Sequence, residues 1–115
     1  MIADVQVFTL EQVPNYKVVK VIGLVRGNSV RSRHVGKDIL AGLRNLVGGE
    51  VMEYTKLMAE SREQAIDRMC EEAKMLGANA VIGARFSTSM VASMAAELLA
   101  FGTAVVLEEL PSEPS

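Results

Sequence analysis

The chain has 115 residues, a formal net charge of −2 and one cysteine. Half of its residues are hydrophobic, only 4% are aromatic, and tryptophan is absent. That length supports one core. The charge argues against nucleic acid as a partner, and a single cysteine excludes an internal disulfide and fits a reducing cytoplasm. Met1-Ile2-Ala3-Asp4 carries no basic segment followed by an apolar run, so no signal peptide is expected. No stretch approaches about 20 uninterrupted apolar residues, so no membrane span is expected either.

In chain order, Val5 to Leu10 reads as a short edge strand, and Pro14-Asn15 separates it from the next element. Tyr16 to Val25 is a strong strand, since Val18, Val19, Val21, Ile22, Leu24 and Val25 are mostly β-branched. Its apolar residues fall on both faces, which predicts cover on both sides by helices or by a neighbouring subunit. Gly23 and Gly27 predict bulges or close backbone approach. Asn28 to Arg33 is then a polar connection, with Ser32 as the N-cap of a first helix over about His34 to Val47. Ile39, Leu43, Leu46 and Val47 form its apolar face, and Gly48-Gly49 ends it.

A longer helix runs from about Val51 to Leu76. Met58, Ala65, Ile66, Met69, Ala73 and Leu76 recur at helical spacing, and Val51 and Tyr54 extend the stripe backwards. Lys56, Glu60, Glu63, Asp67, Arg68, Glu71, Glu72 and Lys74 make the solvated face. Ser61-Arg62-Glu63-Gln64 has the form of a capping box, where a helix could restart. The stripe crosses Ser61 without changing phase, which predicts one continuous helix. Gly77 is the natural residue to end it. Ala78-Asn79-Ala80 are small and let the next strand, from Asn79 to Ser89, lie close to the helix it leaves. From Met90 to Phe101 local propensity favours helix. From Leu99 to Leu107 the alternation favours strand, and the residues leave the two open. Residues 1–110 make the single domain, and residues 111–115 are a polar tail.

Four segments resemble a known family: GLVRGNSV, DILAGLRNLVGGE, REQAIDRMCEEAKMLGANAVIGARF and FGTAVVLEEL. They are similar to the YbjQ-like proteins, small bacterial and archaeal proteins labelled heavy-metal-binding. The resemblance covers about Tyr16 to Leu110. It implies an α+β, dodecin-like subunit with two helices on an antiparallel sheet, in the order strand-strand-helix-helix-strand-strand. It also implies a homopentameric ring with strand pairing between subunits. It places Met94 to Leu107 as the second strand of a hairpin. The chain departs from the family after Phe86, where Ser87 and Thr88 stand in place of the acidic residue and aromatic of many relatives.

The residues themselves name no cofactor and no catalytic constellation. Soft metals want two or more converging thiolates or imidazoles. This chain offers one of each, His34 and Cys70, in different elements, so a metal would need ligands shared across subunits. Cys70 lies beside the apolar stripe and needs no further role as a small packed side chain. Arg31, Arg33, His34 and Lys37, with Arg26 nearby, gather before a helix N-terminus, where amides and dipole favour anions. They are the candidate site for a small anion. The acidic face of the long helix reads as solvated. Ser87, Thr88 and Ser89 have only His34 as a base, and no GxSxG is present. The expected protein is therefore a homo-oligomeric binding or scaffold protein without catalysis. Val5 to Leu10 and Val105 to Leu110 are its interface candidates.

Overall fold

A computed structural model describes residues 4–32, 49–92 and 95–111. Strand β1 (Gln6–Val7) and strand β2 (Tyr16–Ser32) come first, followed by helix α1 (Gly49–Met75) and a hairpin of β3 (Ala80–Ala92) and β4 (Ala95–Glu109). The four strands form one sheet in the order β1-β3-β4-β2. Both β2 and β3 run antiparallel to β4, while β1 joins β3 in parallel. The class is α+β, as expected, with a mixed rather than wholly antiparallel sheet. The expected first helix over His34 to Val47 lies outside the described residues.

Helix α1 forms as one piece and passes through Ser61, which is buried. Its stripe is legible in the packing: Ala65, Met69 and Ala73 are fully covered, and Ile66 packs against them. Leu76, expected in the same stripe, falls just beyond the helix and is half exposed. The reason is the stop. Gly77 takes φ +91°, its N–H donates to Lys74 O at 3.0 Å, and Ala78 N–H donates to Ala73 O at 3.0 Å. This is a Schellman motif, and it satisfies carbonyls that a helix end leaves orphaned. Ala73 and Ala78 then share the core, so the cap also sets the angle at which the chain enters β3.

Asn79 locks that entry. Its side-chain Nδ2 donates to Leu107 O at 2.9 Å, and its Oδ1 accepts from Leu107 N–H at 2.8 Å. The amide thus pairs with a backbone unit of β4 as another backbone unit would. Its own N–H donates to Val105 O at 3.2 Å.

The polar connection expected from Asn28 is instead strand. β2 continues to Ser32, and its register with β4 is complete from Gly23↔Ala104 to Ser32↔Ala95. Pairing with β4 satisfies this backbone whatever its side chains prefer, and their alternation fits the pleat. Gly27 and Ser29 are buried under α1, while Asn28 and Val30 are exposed. Ser29 Oγ donates to Gln64 Oε1 at 3.0 Å, so the buried hydroxyl is partnered across the interface. Ser32, expected as an N-cap, closes the strand. Helical propensity is overridden in the same way at residues 90–92 and 95–101, because β3 and β4 pair from Ala80↔Val105 to Ala92↔Ala95.

Both β2 glycines have their expected roles. A register shift separates Val21 from Gly23, which takes φ +136°. A Cβ on Gly27 would collide with backbone atoms of α1, Ala65 O and Met69 N. Helix and strand meet here backbone to backbone. The main core, Val25, Ala65, Met69, Ala73, Ala78, Val81, Ala100 and Ala104, is mostly alanine for that reason, with Met69 its long side chain. A second cluster, Ala80, Val105 and Leu107, lies on the other face under Phe8 and Val13 of the N-terminal segment.

Candidate functional site

The sheet order determines which backbone is available for contact. β4 is flanked by β3 on one side and β2 on the other, so its last residues, Val105 to Glu109, do not form an outer strand of the sheet. The N-terminal segment is also engaged within the chain. Phe8 N–H donates to Val81 O at 2.8 Å, Ala84 N–H to Phe8 O at 3.0 Å, and Gly83 N–H to Leu10 O at 2.9 Å. Val105 to Leu110 is therefore not an open strand, whereas β1 is an outer strand of the sheet, as expected of Val5 to Leu10, with its inner side engaged on β3. Two longer edges are also open among the described residues. One is the outer side of β2 along its 17 residues, and the other is the outer side of β3 beyond Arg85, past the end of the β1 segment. They lie at opposite margins of one sheet.

Exposed aliphatic residues also line the β2 margin, interleaved with exposed Lys17, Lys20 and Arg26. Val18, Val19, Val21, Leu24 and Val30 are all exposed, with Val21 at 66% and Leu24 at 65%. Cover of β2, expected on both faces from its composition, is supplied among the described residues over Val25, Gly27 and Ser29 on the α1 face. On the other face Leu24, Arg26, Asn28 and Val30 stand opposite Thr103, Phe101, Leu99 and Glu97 of β4. Asn28 Nδ2 donates to Glu97 Oε2 at 3.1 Å. Long unpaired edges with exposed aliphatic residues are templates for pairing with another chain. The composition held this signal, since a run of β-branched residues on both faces was visible. Its position at the margin was not, because strand order is set by pairings far apart in sequence.

Of the anion candidates, Arg31 falls in β2 opposite Ala96. Arg33, His34 and Lys37 lie outside the described residues. Arg26 is on the open face of the sheet, five positions back along the strand. Arg31 is thus a strand residue and not part of a loop before a helix.

Of the metal candidates, Cys70 sits on α1 and is half-buried and free. Burial pushes its thiol up, and the carboxylates of Asp67 and Asp4 add to the shift. The thiolate is the metal-binding form, so this environment disfavours ligation. Among the described residues no three His, Cys, Asp or Glu side chains gather where they could hold an ion. The described residues alone therefore assemble no heavy-metal centre. No described helix is long and apolar enough to cross a membrane.

A profile of the YbjQ family, described as "putative heavy-metal-binding", matches residues 5–108. A UPF0145 protein of Thermus thermophilus is 56% identical over 107 residues, covering 93% of this chain and 94% of its own. Another, from Thermococcus kodakarensis, is 53% identical over 108 residues, covering 94% and 96%. A crystal structure from Pediococcus pentosaceus, of a DUF74-family protein of unknown function, superposes with a TM-score of 0.60. It is 13% identical and covers 90% of this chain and 98% of that one, a likeness of fold.

Proposed function

The chain is a member of the YbjQ family, and we propose that it acts as a homo-oligomeric binding or scaffold protein without intrinsic catalysis, assembled as a pentameric ring. One observation carries this reading. Two unpaired strand edges lie at opposite margins of the same sheet, and the longer bears exposed valines and a leucine. An edge that meets a different edge makes a head-to-tail contact, and such contacts close into rings when the rotation allows. Because β2 and β3 both oppose β4, they run in the same direction. A rotation about an axis along the strands would set the free half of β3 beside β2 of the next copy in parallel. The gain comes from pairing edge amides and burying aliphatic surface at about 25 cal/mol per Å². The number five comes from the family resemblance.

Native mass spectrometry tests this. The intact protein should fly as a pentamer, and Leu24→Lys should shift it towards monomer. A monomer at micromolar concentration, or a pentamer unaffected by Leu24→Lys with Val21→Lys, would count against the reading. The family's description also raises a heavy metal. In this chain that would require ligands from several copies meeting near the ring axis, with His34 and Cys70 the candidates. The raised Cys70 thiol weakens that version. The same spectrum would report a retained metal by its mass.

A further inference from the structure

The N-terminal segment does more than add a short strand. After pairing with β3 it turns back over the helix-free face and leaves a groove of about 530 Å³. The turn is fixed by the backbone. Asn15 takes φ +70°, Tyr16 N–H donates to Val13 O at 3.2 Å, and Leu110 N–H donates to Asn15 O at 2.8 Å. The last of these ties the turn to the residue that follows β4, so the mouth is held from two elements. The floor is aliphatic: Val18, Ile82, Leu107 and Leu110. Tyr16 and Glu11 also line the groove. Val18, Tyr16 and Leu110 are each exposed by more than a third, so apolar surface in a concave site faces solvent.

The charges select what can enter. Glu11 is the one charged side chain among the described residues that line the groove, and no lysine or arginine joins it. Its stem is folded back over the sheet, because a Cβ on Gly83 would stand 3.7 Å from Glu11 Cγ. A carboxylate can only accept hydrogen bonds. The Tyr16 ring adds a face that attracts cations. An anion would meet repulsion and no donor charge here. The volume lies within the roughly 300–1,000 Å³ of small-ligand sites.

We infer that this groove binds a small organic cation, an amine carrying an aromatic or branched aliphatic body. The body lies on Val18, Ile82, Leu107 and Leu110, and the ammonium meets Glu11 beside Tyr16. This goes beyond the assembly reading and does not depend on it, since every lining residue comes from one chain.

The test uses the full-length protein, labelled with 15N, titrated with 4-phenylbutylamine and separately with 4-phenylbutanol. Both share the body, and only the amine has the charge. Saturable shifts are expected at the amides of Val13, Tyr16 and Leu110, with the amine binding about fivefold more tightly, the upper range for a solvent-accessible ion pair. Glu11→Gln should abolish that preference. Val18→Arg, at a half-exposed position, should block both compounds. Absence of saturable shifts at these amides would overturn the inference, as would equal affinity of the two compounds in the native protein. A preference that survives Glu11→Gln would also overturn it. So would the same shifts on concentrating the protein without ligand, because a second copy would then be filling the groove. Should Val18→Arg fail to fold, Glu11→Gln alone decides.

Discussion

The two faces of β2 are made from alternate residues of one strand and live in opposite surroundings. On one face Val25, Gly27 and Ser29 are buried against α1, at distances that leave no room for a methyl group at Gly27. On the other, Leu24 and Val30 stand exposed in this chain. The first face is small because it must admit a helix backbone, so its stability comes from close approach. The second is large and aliphatic where nothing in the described chain covers it. Large apolar side chains are usually explained by a core, so finding them on the open side points outward to a partner.

The sharpest way to break the contrast is to add one carbon to the tight face. Gly27→Ala places a Cβ against Ala65 O and Met69 N, which belong to the helix backbone and cannot rotate away. α1 would have to lift from β2, the strand it packs on most. A loss of about 3 kcal/mol or more is expected, at the top of the overpacking range. In a domain of this size that lowers the melting temperature on the order of 15 °C. A calorimetric scan that finds Gly27→Ala within a degree or two of the native protein would contradict the close packing.

A smaller loss is expected where β3 begins. Asn79→Ala removes both bonds to the Leu107 backbone and leaves its N–H and C=O without that partner. The cost should be about 1–3 kcal/mol, read by urea denaturation. Asn79→Asp keeps an acceptor for the Leu107 N–H but sets a carboxylate against its carbonyl. It should therefore rescue little, whereas a merely polar surface role would be rescued fully.

On the open face the same scale of change should do almost nothing to the isolated chain. Leu24→Lys at 65% exposure should alter monomer stability by no more than about 0.5 kcal/mol. Any larger effect at concentrations where copies associate would then belong to the interface. Comparing the variant's unfolding across a hundredfold dilution separates the two, because only an assembly makes stability depend on concentration.

These elements also explain what is legible without the fold. Helix α1 and its stop are legible because their causes are local: a stripe at helical spacing, then glycine at the one position that needs φ +91°. Gly23 and Gly27 are legible as irregular or close-packed positions because glycine has few other uses in a strand. The far half of β2 is not legible. Asn28, Ser29, Arg31 and Ser32 suit a polar connection by composition, and they stay extended only because β4, some 70 residues later, pairs with them. Ser29 is satisfied by Gln64, which no local rule connects to it. The groove is hidden for a similar reason. Pro14-Asn15 alone is punctuation, and only the Leu110 bond to Asn15 makes the turn a wall. The interleaving of Leu10 and Val13 with Glu11 and Gln12 is the available signal, an apolar-polar mixture too rich for a bare linker.

The smallest effect concerns Cys70, at the helix face turned towards the N-terminal segment. Burial, then Asp67, then Asp4 raise its thiol in the folded protein. The fold therefore favours the neutral thiol. A group whose folded pKa is raised contributes stability that is fully present below the unfolded pKa, about 8.5 for cysteine. That contribution is lost as pH rises through the folded value, because the unfolded chain then releases its proton first. Stability should thus fall above about pH 8.5 more steeply in the native protein than in Cys70→Ala. Lysines and tyrosines also titrate in this range but are common to both chains, so the difference between the two curves isolates the thiol. Alkylation by iodoacetamide should be slow at about pH 8 relative to a free cysteine in urea, and should accelerate as pH passes the ordinary thiol range. If Cys70 reacts at the rate of the unfolded control under those conditions, the thiol is not held up by its surroundings. The main argument against Cys70 as a soft-metal ligand would fall with it.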